Sequence, residues 1–101
     1  MAAGTLAEQR KAIEAAATIS RVFGHLPPAT IQVSTITPGQ LDISLHDSLA
    51  DFEAWRVALG MFSEWVDQRS QPGAMRLTVA GRFAGVEVKL VGYAPLLKAV
   101  A

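Results

Sequence analysis

The sequence has no cysteine among its 101 residues. A disulfide framework, a zinc ribbon and a thiol nucleophile are thereby excluded. There is no excess of charge of either sign: nine Lys and Arg balance nine Asp and Glu, for a formal charge of zero. Bulk charge is therefore not what would hold this chain on nucleic acid or anionic lipid. Nor is there an uncharged apolar run of about eighteen residues, so no membrane-spanning helix is expected. The first residues lack the unbroken apolar run of a signal peptide, because Glu8, Arg10, Lys11 and Glu14 fall inside it, and the expected location is cytoplasmic. Histidine is scarce. His25 and His46 fall in different elements, without the short helical spacing of a metal-ligand pair. No metal, cofactor or small-molecule substrate is expected.

What is present is apolar. Half of the residues are hydrophobic and only 18% are charged, which excludes a disordered chain. The length fits one domain over residues 1–101. At this size the surface is proportionally large, and some apolar residues must remain outside the core. Self-association as a homodimer is one way to cover them.

From Thr5 to Phe23 the chain is rich in good helix formers, and Thr5 with Glu8 has the spacing of a capping box. Ala12, Ala16, Ile19, Phe23 and Leu26 recur at helical spacing, and Gly24 with Pro27-Pro28 ends the helix. Thr30 to Thr37 begins with period-two alternation, Thr37-Pro38-Gly39-Gln40 is a turn, and Leu41 to His46 alternates again, so a β-hairpin is expected. Ser48, with Asp51 three residues on, starts a second helix. Its stripe of Phe52, Trp55, Leu59, Phe62 and Val66 continues past Gly60. The expected helix therefore runs to about Gln68, the alternative being a shorter helix capped by Gly60. Arg69 to Gly73 reads as a polar linker. Met75 to Ala80 and Val86 to Tyr93 alternate around Gly81–Gly85, a second hairpin, and residues 94–101 form a short apolar tail.

The order is helix, hairpin, helix, hairpin, in half-repeats of residues 5–46 and 48–93. Neither a lone hairpin nor a lone short helix is stable in water. The expected fold class is therefore α+β: an αββαββ pseudo-repeat forming a four-stranded antiparallel sheet, with two helices packed on one face. The other face, with Thr30, Gln32, Ser34, Asp42, Ser44, His46, Arg76, Thr78, Glu87 and Lys89, is polar and of mixed sign. No aromatic is expected in its middle, which disfavours single-stranded RNA.

His46-Asp47-Ser48 contains the residue types of a hydrolase triad, but a triad needs side chains converging from separate segments. Asp47 and Ser48 read instead as helix-start residues. No catalytic residue is assigned and the chain is not expected to be an enzyme. Two candidate protein contacts stand out. Met61 and Trp65 form a flanking line on the second helix, which either packs in the core or is partly exposed to a partner. Val91, Tyr93, Leu96 and Leu97 end the chain on what is expected to be an apolar edge strand, open to pairing with a second copy or covered by the tail itself. The leading expectation is a self-associating, non-catalytic protein-interaction module. The alternative is a small DNA-associated regulator, using Arg10, Lys11 and Arg21 on the first helix or Arg69, Arg76 and Arg82 in the second half.

Trp55-Arg56-x-Ala58-Leu59-Gly60, followed by Leu77-Thr78-Val79-x-Gly81-x-x-x-Gly85-Val86-x-Val88-x-Leu90-Val91-Gly92-Tyr93, resembles the second half of small uncharacterised proteins of actinobacteria and their phages. The resemblance covers about half of the chain. It implies a loop after the Leu-Gly pair, hence the shorter second helix, and it implies no activity.

Overall fold

The computed structural model describes residues 4–46 and 48–95. The expectations for Asp47, Leu96 and Leu97 lie outside them. The fold is α+β, with two helices packed on one face of a single β-sheet: α1 Arg10–Val22, β1 Thr30–Gln32, β2 Gln40–Leu45, α2 Leu49–Ala58, β3 Asp67–Gln71, β4 Ala74–Phe83 and β5 Val86–Pro95. One turn of 3₁₀ helix, Leu6–Gln9, leads into α1, and another, Ser63–Trp65, separates α2 from β3.

The sheet corrects the expected architecture. It has five strands in the order β1-β2-β5-β4-β3. Hairpin pairs are antiparallel, but β2 and β5 run parallel, with Leu41 opposite Val88 and Ile43 opposite Leu90. The two units are thus not symmetric half-domains, because the second contributes three strands and the first only two. The extra strand comes from the stretch expected to continue α2 and then form a linker. Asp67–Gln71 pairs with β4 through Pro72-Gly73, which turn the chain with Gly73 at φ 79°. All five residues of β3 are exposed. An edge strand held by backbone bonds with both faces in water carries no apolar alternation, and so leaves no period in the sequence.

The second helix ends where glycine makes ending it inexpensive. Gly60 lies at φ 72°, a conformation that costs an L side chain about 1–2 kcal/mol. The Gly60 amide donates to the Val57 carbonyl at 3.1 Å and the Met61 amide to the Arg56 carbonyl at 3.0 Å. These two bonds form a Schellman closure. At the other end the Ser48 hydroxyl accepts from the Asp51 amide at 3.2 Å, as its spacing predicts. The Thr5 side chain, by contrast, makes no capping bond; the first turn is 3₁₀, with the Glu8 amide on the Thr5 carbonyl.

One face of the sheet builds the core. Leu41, Ile43 and Leu45 of β2, Leu77 and Val79 of β4, and Val86, Val88 and Leu90 of β5 are buried with Ala12, Ala15 and Ile19 of α1 and with Phe52 and Trp55 of α2. Period-two alternation on the strands and helical spacing on α1 and α2 place these side chains on facing surfaces. The Trp55 indole N–H donates to the Pro27 carbonyl at 2.9 Å, tying α2 to the segment that leads into β1. Phe23 meets Phe83 edge to face at 6.0 Å, closing the end of α1 on the β4–β5 turn. Among the described residues, no helix is long and apolar enough to cross a membrane.

Candidate functional site

The segment that leaves α2 carries the most exposed aromatic surface. Met61 does not flank the helix stripe: it is buried at 3% exposure, its side chain filling the space over Gly81, where a Cβ would come within 3.1 Å of Met61 Cγ. Phe62, expected in the core, is 58% exposed, and Trp65 is 53% exposed. Their rings pack edge to face at 4.6 Å. Val57, on the last turn of α2, is also exposed.

This corner is held rigidly. The Arg56 guanidinium makes two bonds to the Glu53 carboxylate, at 2.7 and 2.8 Å, and a third to the Met61 carbonyl at 2.7 Å. Arg56 thus clamps the chain at the point where it departs from the helix. The bidentate bond to Arg56 lowers the Glu53 pKa below the ordinary carboxylate value, and the same bond raises that of Arg56. The sequence contained the signals for this corner: Gly60 at the helix C-terminus and a Glu–Arg pair three residues apart.

The open sheet face holds a second group. Tyr93 of β5 stands opposite Arg76 of β4, and Arg76 stands opposite Arg69 of β3. His46, just past β2, stacks on Tyr93 with parallel rings 5.0 Å apart. An aromatic pair and two guanidinium groups therefore lie in one row across the strands, on the face away from both helices. Tyr93 lies towards the end of β5, and with His46 it puts an aromatic pair at that end of the face. Arg69 is paired with Asp67 at 3.0 Å. The Arg76 Nε is buried and has no hydrogen-bond partner among the described residues. A shallow depression lined by Pro28, Ala29, Thr30, Ser44 and His46 continues the row beyond β2.

The remaining candidates separate. Val91 is buried in β5, which is the central strand and not an edge, so the expected pairing of an apolar edge with a second copy is corrected. The outer strands are the three-residue β1 and the polar β3, both poor templates for strand addition. Arg82 lies at the far end of β4, opposite Glu87, and donates to the Gly85 carbonyl. Arg10, Lys11 and Arg21 are exposed on α1, with Arg21 bonded to the Thr18 hydroxyl at 3.2 Å. Of the six basic candidates, the fold brings Arg69 and Arg76 into register with each other.

No protein-family model matches this chain, nor does any curated protein or solved structure.

Proposed function

We propose that this protein is a non-catalytic, cytoplasmic protein-interaction module that self-associates, and that the Phe62–Trp65 corner is its contact surface. The observation that carries this reading is the pair of aromatic rings, each more than half exposed and locked against each other at 4.6 Å. Large aromatic side chains dominate binding energy at protein contacts, and they do so most effectively when they are ordered before the partner arrives. The Arg56 clamp and the buried Met61 supply that order, because they fix the backbone on the N-terminal side of Phe62. A second copy meets no net electrostatic repulsion, because the chain has zero net charge.

Sedimentation velocity across the micromolar range tests the reading. The expected result is a concentration-dependent dimer that Phe62→Ser and Trp65→Ser together abolish, with the fold intact by circular dichroism. A wild-type protein that stays monomeric throughout, or a dimer indifferent to both substitutions, overturns it.

A further inference from the structure

The charges on the open sheet face obey a rule that one row breaks. Asp42 stands opposite Lys89 and Glu87 opposite Arg82, each an acid across from a base. Cross-strand pairs of opposite sign stabilise a sheet, and like charges placed opposite each other destabilise it. The row at the other end of the face sets Arg69 opposite Arg76. Asp67 offsets Arg69, but among the described residues no carboxylate pairs with Arg76, whose Nε is also unpartnered. An arrangement that costs stability and leaves a half-buried cation uncompensated fits a site whose anion comes from outside.

The same row carries the Tyr93–His46 stack on the opposite side of Arg76 from Arg69. From His46 to Arg69 the row crosses four strand positions, about 14 Å at the usual strand spacing. That length accommodates two nucleotides of an extended single strand, with a base on the stack of exposed His46 and half-buried Tyr93 and one phosphate on each of Arg76 and Arg69. Aromatic side chains accept any base by stacking, and guanidinium groups bind phosphate oxygens in a bidentate fork. The geometry points to a single-stranded nucleic acid site on the open face, formed by His46, Tyr93, Arg76 and Arg69.

A flat row suits a short stretch of strand better than a free nucleotide, which needs concave walls to bury it. Zero net charge removes bulk long-range attraction, so the local groups of this row must supply the affinity. The site is separate from the Phe62–Trp65 corner, and its fate does not depend on self-association.

Fluorescence anisotropy with a labelled oligothymidylate and a labelled oligouridylate, titrated at several salt concentrations, tests the proposal. Two phosphate contacts on a single strand predict a log–log salt slope of roughly −1.4. Arg69→Gln and Arg76→Gln should each remove about half of that slope. Tyr93→Leu and His46→Ala should weaken binding roughly tenfold without changing the slope, and Tyr93→Phe should keep the affinity. Arg69 is exposed, so its variant reads binding even if the Tyr93 variant fails to fold. Absence of binding at low salt overturns the proposal, as does a salt slope untouched by both arginine substitutions. A poly-glutamate peptide that competes as well as the unlabelled oligonucleotide also overturns it, because charge alone would then explain the site.

Discussion

The ring of Phe52 lies directly on the backbone of Gly92. A Cβ at Gly92 would stand 2.6 Å from Phe52 Cδ1, 2.9 Å from Cγ and 3.0 Å from Cβ. Gly92 occupies the core-facing row between Leu45 and Leu77, and its missing side chain is what lets α2 settle onto β5. The near atoms include the root of the Phe52 side chain, so rotation of the ring cannot relieve the clash. Gly92→Ala is expected to cost about 1–3 kcal/mol, the usual range for overpacking, and thermal unfolding will show it as a clear fall in Tm. Gly81→Ala is the control. There the neighbour is the flexible end of Met61, which moves, so the loss should be smaller.

The Glu53–Arg56 pair predicts a pH dependence with a definite sign. Glu53 has a lowered pKa, first because of its bond to Arg56. A carboxylate whose folded pKa lies below its unfolded one stabilises the fold fully above the unfolded value of about 4.3, and that contribution disappears as pH falls through the folded value. The Glu53 side chain is 45% exposed, so solvent screening limits the pair to about 0.5 kcal/mol. Urea titrations should therefore show Glu53→Gln less stable than wild type by about that amount at neutral pH, with the gap closing in acid. Arg56→Ala should cost more, about 1–2 kcal/mol, because it also leaves the Met61 carbonyl without its donor.

The core was legible in the sequence because burial writes a period. Leu41, Ile43, Leu45, Leu77, Val79, Val86, Val88 and Leu90 alternate, and all eight are buried. The parallel pairing of β2 with β5 left no such trace, since the same alternation serves a parallel or an antiparallel neighbour. β3 left none either, because all of its side chains face water. The second helix stops short of its stripe for a related reason. Phe62 and Val66 continue the spacing of Phe52, Trp55 and Leu59, yet Gly60 reverses the chain first, and Phe62 then points into solvent. Local backbone chemistry overrode the apolar stripe. In the row on the open face, each residue type was visible, but Arg69 meets Arg76 only because β3 exists.

The β4–β5 turn carries a correctable strain. Gly81 and Gly85 bracket this connection, but only two residues turn the chain, Ala84 at φ 53° and Gly85 at φ 77°, between the paired Phe83 and Val86. Two left-handed residues in a two-residue hairpin loop make a type I′ turn, whose preferred sequence is Asn-Gly. Alanine at the first position bears the left-handed penalty that asparagine largely avoids. Ala84→Asn should stabilise the protein by about 0.5–1 kcal/mol, read as a higher urea midpoint with an unchanged slope. The turn lies apart from both candidate surfaces, so oligomeric state and oligonucleotide affinity should not move.

The two tryptophans report on different parts of the molecule. Trp55 is 4% exposed and bonded to the Pro27 carbonyl, whereas Trp65 is 53% exposed beside Phe62. Acrylamide should therefore quench only part of the fluorescence of dilute protein, and Trp65→Phe should remove the quenchable part. Trp65 is exposed, so this change leaves the core untouched and the remaining signal isolates Trp55. If the corner is where copies meet, raising the concentration will bury Trp65, lower the quenchable fraction and shift its emission to the blue. Trp55 should stay protected at every concentration. A quenchable fraction that holds constant while sedimentation shows a dimer would place the contact elsewhere on the surface, and the rigid Phe62–Trp65 pair would then need a different partner.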